Sequence, residues 1–287
     1  MLRQLIVNAD DYGYTPGTSR GILKAHQSGI VTSTSVMVNM PAAAEWVPKA
    51  IAETPALGLG LHITLTAGEP VSLPDDVPDL VAPGGGFYPR DTLIGLMPGL
   101  NITQVEREML AQVARFEEIA GRLPDHLDSH HHITYLNPPI IKLMVKLAHE
   151  LDIPIRNPLP GDPDDTEQVA AKIAELVSIA PDTAYLEEMV DIIRGYVSSA
   201  GVRMPDWLNV SFFGERATLG DLLLLLLDTP EGVTELMCHP AEIDDELRAT
   251  SGYLEPREAE LAALTHPSAR EALNSEFIQL INFGDLK

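Results

Sequence analysis

Residues 5–39 have the sequence LIVNADDYGYTPGTSRGILKAHQSGIVTSTSVMVN, and this stretch indicates the fold class. Residues 5–7 predict a strand that ends at the polar run Asn-Ala-Asp-Asp. Residues 17–28 predict a helix that the next glycine closes, and the β-branched residues within 31–39 predict a second strand. A strand, a helix and a second strand in this order are typical of α/β architecture.

The same alternation continues to about residue 240 of the chain. Further strand patterns are LGLGLHITL at 57–65, HLDSHH at 126–131, IPIRN at 153–157, WLNVSFFG at 207–214 and TELMCHP at 234–240. Helical patterns occupy 42–53 (broken or begun near Pro48), 103–119, 138–151, a stretch after 166 and the leucine run at 222–227. About seven strand–helix repeats predict a closed or nearly closed β/α barrel, with a doubly wound open sheet as the alternative.

The chain shows neither an internal repeat nor a clear linker, so we expect one domain over residues 1–287. Residues 68–100 are rich in glycine and proline and predict a long insertion or lid loop. No Gly-x-Gly-x-x-Gly pattern or phosphate loop follows the first strand, which argues against a nucleotide-binding protein.

Composition narrows the class of protein. The formal net charge is −23, which disfavours binding to nucleic acid or to an anionic membrane, although it also serves simply as a solubilising shell. The single cysteine, Cys238, allows no intramolecular disulfide. Asp10 and Asp11 interrupt the first apolar run, so it is not a signal peptide, and residues 222–227 are too short to cross a bilayer. We predict a soluble cytoplasmic protein in which the leucine run is a buried helix.

The histidine-rich segment HLDSHHH begins at residue 126 and has the composition of a metal or catalytic site, with a solvated polar loop as the alternative. An extended backbone places His126, Asp128 and His130 on one face, with His130 nearest the strand end. Asp128 is then placed to orient a metal-binding histidine by a hydrogen bond to the ring nitrogen that does not bind the metal. The following histidines, His131 and His132, are expected either to be exposed or to line the path of the substrate.

Polar groups follow four predicted strands, and in β/α barrels such strand ends meet at one mouth. The neighbours Asp10 and Asp11 are expected to diverge on an extended backbone, so that one binds a cation and the other acts as a base. A helix-capping pair is the alternative. His62 lies in an otherwise apolar strand and would by itself be a buried core residue, but Asp11 and His130 need a third partner.

The motifs NADDYG, GLHITLT, HLDSHHH and ELMCHP, in this order, resemble those of the YdjC-like carbohydrate deacetylases, which include enzymes acting on chitooligosaccharides. The resemblance extends from the first strand to about residue 245 of the sequence. It implies an irregular β/α barrel similar to polysaccharide deacetylases. It also implies a metal-dependent hydrolase that acts on an N-acetylated sugar, and it suggests a homodimer.

The resemblance also implies roles for individual residues. Asp11, His62 and His130 match the ligands of a divalent cation, which is Zn²⁺ or Mg²⁺. Asp10 matches the catalytic base, and His239 matches the general acid that protonates the leaving amine. Arg156 matches an arginine that braces the site. The insertion at 68–100 is predicted to border the mouth and to help select the sugar, with a functionless surface excursion as the alternative.

Two departures from the family pattern concern Tyr12, where many members have phenylalanine, and Thr134, where a further histidine is common. They leave the predicted ligands intact and bear on substrate identity. Two other functions remain open at this stage. One is a sugar- or metal-binding protein without turnover, and the other is a metal-dependent phosphoesterase, which would usually need a second metal and more basic residues.

Overall fold

Seven β-strands form one sheet in the computed structural model, which describes residues 2–177 and 183–286. The strands are β1 (Arg3–Tyr12), β2 (Ser33–Val36), β3 (Gly58–Ile63), β4 (Leu127–Ser129), β5 (Trp207–Asn209), β6 (Gly232–Cys238) and β7 (Ile278–Leu280). The sheet order is β4-β3-β2-β1-β6-β5, with β7 paired to the start of β1, and all these pairings are parallel. Because the strands are parallel, their carboxyl ends lie at one edge of the sheet.

Eleven α-helices lie within the described residues and connect these strands. They are α1 (Pro16–Ser28), α2 (Ala43–Glu53), α3 (Arg90–Leu96), α4 (Ile102–Ala120), α5 (Pro138–Leu151), α6 (Thr166–Val177), α7 (Thr183–Ala200), α8 (Leu219–Leu227), α9 (Asp245–Thr250), α10 (Glu255–Leu264) and α11 (Pro267–Ser275). The stretch predicted as helical after residue 166 is thus two helices, and the residues between them lie outside the described ones. Within the described residues, no helix is both long and apolar enough to span a membrane.

The sheet curls into a partly open barrel, and its end strands among the described residues are β4 and β5. Strand β6 pairs with β1, and β1 to β4 lie side by side in the order in which they occur in the sequence. Between β4 and β5, the chain at 154–161 hydrogen-bonds to both edges, since Arg156 N donates to Leu127 O and Gly161 N donates to Leu208 O, each at 2.9 Å. The predicted irregular β/α barrel is confirmed, and the doubly wound open sheet is wrong.

Three local predictions need correction. Pro48 neither breaks nor begins a helix but lies inside α2, in the second turn, although a proline there removes one backbone hydrogen bond and crowds the carbonyl four residues earlier. The IPIRN segment forms an isolated bridge between Leu127 and Ile155 rather than a strand. The leucine run in α8 is not buried throughout, because Leu222 and Leu226 face the core while Leu224 is 60% exposed.

The insertion at 68–100 is more ordered than a loop. It contains α3, three short 3₁₀ turns and an antiparallel bridge between Val81 and Phe87. The fully buried carboxylate of Glu108 on α4 accepts the backbone N–H groups of Val71 and Ser72 at 3.0 and 2.9 Å. A buried carboxylate that binds two backbone donors fixes the start of the insertion against the barrel.

Candidate active site

The end of β1 carries Asp10 and Asp11 on a backbone that is not fully extended. The pairing register between β1 and β2 shifts between Ala9 and Tyr12, and Asp11 has a φ of 71°. Residues with a Cβ atom seldom adopt this left-handed conformation because the side chain then crowds the backbone. Both carboxylates lie near His62, but Asp11 shares one candidate centre with His62 and His130, whereas Asp10 groups with His62 and Asp128. The predicted extended backbone is therefore absent at Asp11, although the two side chains have different partners.

Asp11, His62 and His130 bring three potential ligand atoms to this centre from the ends of β1, β3 and β4. Asp11 Oδ1 lies 3.5 Å from His62 Nε2 and 3.1 Å from His130 Nδ1, and the two nitrogens are 3.3 Å apart. Ligands about 2.1 Å from one ion lie about 3.0 Å apart at right angles and about 3.4 Å apart in a tetrahedron. These three buried side chains thus have the spacing that a single cation requires.

Asp11 uses its two oxygens differently. Its Oδ2 accepts a hydrogen bond of 2.7 Å from Arg257 Nη2, whereas the buried Oδ1 accepts none from any described residue. Burial alone would raise the pKa of Asp11, but the charges of Arg257 and His130 hold it well below its usual range. An anion with one oxygen fixed and the other free suits a cation ligand that binds through one atom.

His62 is oriented from behind by Asp128. His62 Nδ1 lies 2.7 Å from Asp128 Oδ1, and the hydroxyl of Ser35 donates to Asp128 Oδ2 at 2.7 Å. A proton on Nδ1 leaves the lone pair on Nε2, which faces the centre. Burial alone would lower the pKa of His62, but the surrounding carboxylates, above all Asp128, raise it to about 9. The carboxylates around His62 therefore favour a positive charge at Nε2, which a bound cation would supply in place of the second proton.

Arg156 is fully buried and joins three carboxylates. Its Nη1 and Nη2 donate to the two oxygens of Asp10 at 2.7 and 2.6 Å, its Nε donates to Glu235 at 2.8 Å, and Nη2 lies 3.1 Å from Asp128. Burial alone would raise the pKa of Asp10, but Arg156 holds it well below its usual range. Asp10, His62 and Asp128 also have ligand spacing, yet Arg156 already binds both carboxylates, which makes them the weaker cation site.

His239 follows β6 directly and faces Asp10 across the centre, with its Nε2 3.9 Å from Asp10 Oδ2. Its backbone N–H donates to the Glu260 carboxylate on α10, and its buried Nδ1 has no hydrogen-bond partner among the described residues. Burial lowers the pKa of His239 to about 4, against the raising effect of the nearby carboxylates. The ring is consequently neutral at neutral pH and free to accept a proton.

His126 lies away from this centre. Although it shares a face with Asp128, it lies at the opposite end of the strand, where its ring stacks on Phe283 at 3.8 Å. Its Nδ1 is 2.7 Å from Asp125 Oδ1. His126 therefore belongs to the closed end of the barrel.

His131 and His132 lie beside the centre on left-handed backbone, with φ values of 55° and 54°. His131 is exposed, and its Nδ1 lies 3.0 Å from Thr66 Oγ1. His132 is partly buried, and burial followed by the charge of Arg156 lowers its pKa to about 3. The strand-like alternation therefore ends at His130, as the left-handed residues turn the chain.

Tyr12 and Thr134, the two departures from the family pattern, make their side-chain contacts with other groups of the core. The Tyr12 hydroxyl donates to the Trp46 carbonyl at 2.7 Å, and the ring is fully buried. The Thr134 hydroxyl lies 3.2 Å from the sulfur of Met144 and is also buried. Neither group faces the centre, so neither departure alters the surface that would meet a substrate.

Comparison with known proteins adds the family. A family model described as YdjC-like protein matches residues 4–275. The chain belongs to the YdjC-like family. A carbohydrate deacetylase from Geobacillus stearothermophilus is 35% identical, with 99% of this chain and 98% of that protein covered. A chitooligosaccharide deacetylase from Yersinia enterocolitica is 32% identical, with 99% and 100% covered.

A solved structure with 32% sequence identity has the same fold. It is a protein from Enterococcus faecalis V583, provisionally named a cellobiose-phosphate cleavage protein, with a TM-score of 0.82 and 32% identity. The match covers 99% of this chain and 98% of that one. The full length of the barrel is therefore shared.

Several residues around this YdjC-like site are not predicted from the sequence. Glu235 is a charged residue inside an otherwise apolar strand, and burial raises its pKa to about 7 despite Arg156. A charged residue at that strand position is a sequence signal for a buried ionic site. Arg257 and Glu260, spaced one turn apart on α10, hold Asp11 and the His239 backbone. No pattern in the sequence linked that distant helix to the strand ends.

The insertion reaches this YdjC-like site. Its helix α3 contacts the segment His130–Leu136, which contains the three consecutive histidines. Arg90, at the start of α3, lies close enough for its charge to act on His131. These contacts support the prediction that residues 68–100 border the mouth.

Proposed function

We propose that this YdjC-like protein is a divalent-cation-dependent hydrolase that removes the N-acetyl group from an amino sugar or oligosaccharide. The observation that carries the proposal is the convergence of Asp11 Oδ1, His62 Nε2 and His130 Nδ1 within 3.5 Å of one another. The deacetylase names of full-length relatives support the same reaction class.

The residues around the centre account for hydrolysis of an amide. A cation held by Asp11, His62 and His130 would polarise the acetamide carbonyl and acidify the attacking water. Arg156 keeps Asp10 ionised and oriented. Asp10 takes a proton from the attacking water while the oxygen of that water bonds to the carbonyl carbon. Because the pKa of Asp10 is low, this carboxyl holds the proton only briefly.

His239 completes the proton transfer. Its Nε2 lies 3.9 Å from Asp10 Oδ2, and its lowered pKa leaves the ring neutral and able to receive the proton. The same nitrogen then donates the proton to the amine as the C–N bond breaks, since an unprotonated amine is a poor leaving group. The proton lost by water thereby reaches the amine, and acetate is released.

A phosphoesterase is the weaker alternative. The guanidinium groups nearest the centre, Arg156 and Arg257, are both bound to carboxylates and so are not available to hold a phosphate. A binding protein without turnover does not need the Asp10–His239 arrangement. The choice between Zn²⁺ and Mg²⁺, the cytoplasmic location and the homodimer stay predictions.

Acetate release tests the proposal. The purified protein is first stripped with a chelator and then assayed with N-acetylglucosamine and its oligomers, without metal and with Zn²⁺ or Mg²⁺. We expect acetate only after a divalent cation is restored. Sugar binding without acetate release would favour the binding protein, and release of phosphate from sugar phosphates but no acetate would favour the phosphoesterase.

A further inference from the structure

The loop after β5 brings an exposed aromatic ring to the open end of the barrel. Asn209, the last residue of β5, pairs with Leu236 on β6, so this loop leaves the sheet at the same edge as His239. Phe212 is fully buried and anchors the loop, whereas the next residue, Phe213, is 45% exposed. Two neighbouring phenylalanines thus have opposite environments.

The Phe213 ring is held in place beside His239. It stacks on Tyr253 with centroids 4.3 Å apart and planes 1° from parallel, and it meets the His239 ring edge-to-face at 5.5 Å. The Tyr253 hydroxyl accepts Gly214 N at 2.8 Å and donates to Glu260 at 2.6 Å. The exposed ring is therefore fixed by a hydrogen-bonded partner on one face.

We propose that Phe213 is a binding platform for the pyranose ring that carries the acetamido group. This inference rests on the proposed function, in which His239 protonates the leaving nitrogen. That nitrogen is bonded directly to the sugar ring, so the sugar lies on the His239 side of the reacting carbon. An aromatic face is electronegative and attracts the weakly positive C–H groups on the face of a pyranose.

The position of Phe213 sets it apart from scattered exposed apolar residues. Phe277, for example, is 86% exposed, but it precedes β7, which pairs with the start of β1 at the opposite end of the sheet. A single exposed apolar side chain of that kind is ordinary on a protein surface. Phe277 therefore provides a matched control.

The test compares Phe213→Ala, Phe213→Tyr and Phe277→Ala on two substrates in the cation-loaded protein. The substrates are an N-acetylglucosamine oligomer and a small aryl acetate that has no sugar ring. Phe213→Ala should raise KM for the sugar by about 3- to 10-fold, the usual scale for one aromatic contact, and leave aryl acetate turnover unchanged. Phe213→Tyr and Phe277→Ala should both behave like the unaltered protein.

The outcomes separate this inference from the proposed function. An unchanged sugar KM in Phe213→Ala, or equal loss on both substrates, overturns the platform while the deacetylase proposal stands. If the unaltered protein releases no acetate from any sugar, the deacetylase proposal fails. The platform is then judged by calorimetric binding of the same oligomer, and equal affinities of the unaltered and Phe213→Ala proteins, or no binding by either, overturn it.

Discussion

At the scale of single residues, Asp10 and Asp11 are adjacent in sequence but differ in their partners. Asp11→Asn should strongly weaken cation affinity, because the free charged oxygen facing two histidine nitrogens becomes neutral. Asparagine tolerates a left-handed backbone, so the φ of 71° should survive. Asp10→Asn should keep cation affinity and lose about 10²–10⁴-fold in kcat, the usual scale for a general base.

Two measurements separate the aspartates. Calorimetric titration with Zn²⁺ gives the affinity, and acetate release at saturating Zn²⁺ gives kcat. Thermal unfolding of both variants checks that the barrel is intact. Equal loss of cation affinity in the two variants would show that the assignment of base and ligand is mistaken.

His239 makes a separate prediction at the same scale. His239→Ala should greatly slow amide hydrolysis but affect an activated aryl ester less, because such a leaving group needs little protonation. The ratio of amide to ester turnover is the measurement. An unchanged ratio would remove His239 as the group that protonates the amine.

The pH profile of kcat/KM tests whether His239 is neutral or protonated when the reaction begins. Its pKa of about 4 lies below the ordinary value, so the ring is already neutral above about pH 5. If neutral His239 receives the proton from Asp10, kcat/KM should not fall between about pH 5 and 8 at saturating cation. A steady fall across that range would mean that His239 must begin protonated.

At the scale of elements, the insertion at 68–100 should select substrates without holding the cation. The bridge between Val81 and Phe87 closes a hairpin, and a two-residue Asn-Gly turn in place of residues 82–86 preserves such pairing while shortening its tip. We expect altered relative kcat/KM across a panel of acetylated sugars, with cation affinity unchanged. Identical relative rates across the panel would assign the hairpin no role in selection.

At the scale of the whole molecule, Arg156 and its carboxylates connect three parts of the barrel. Asp10 lies on β1, Asp128 on β4 and Glu235 on β6. Burial raises the pKa of Glu235 from 4.5 to about 7, so between these values the folded protein binds a proton that the unfolded chain does not. The contribution of this group to the free energy of unfolding therefore decreases as pH rises from about 4.5 to 7, and then levels off.

Glu235→Gln tests this contribution because glutamine resembles the protonated acid. The variant should match the unaltered protein in Tm near pH 5 and exceed it near pH 8, with the difference growing between them. Glu118→Gln, at an exposed ion pair on α4, should change Tm little at either pH. A Tm difference for Glu235→Gln that is independent of pH would contradict the raised pKa.

Local sequence patterns predict most strands and helices, in order, as far as about residue 240, because hydrophobic periodicity and glycine or proline boundaries act over short distances. They do not predict α3, α9, α10, α11 or β7, and they predict a strand at 153–157 where the chain forms only a bridge. The sequence also indicated the strand ends that carry Asp11, His62, His130 and His239, since parallel strands present their carboxyl ends together. Element boundaries and local burial depend on packing as well, as the continuous α2 helix through Pro48 and the half-exposed leucine run show.

The directions of the two aspartates and the side chains that surround them depend on the tertiary structure. The left-handed φ of Asp11 comes from a register shift against β2, which local sequence does not specify. Arg257 reaches Asp11 from a helix 246 residues further along the chain. Contacts of this kind depend on how distant elements pack against one another, and burial then sets the charge states of the groups they bring together.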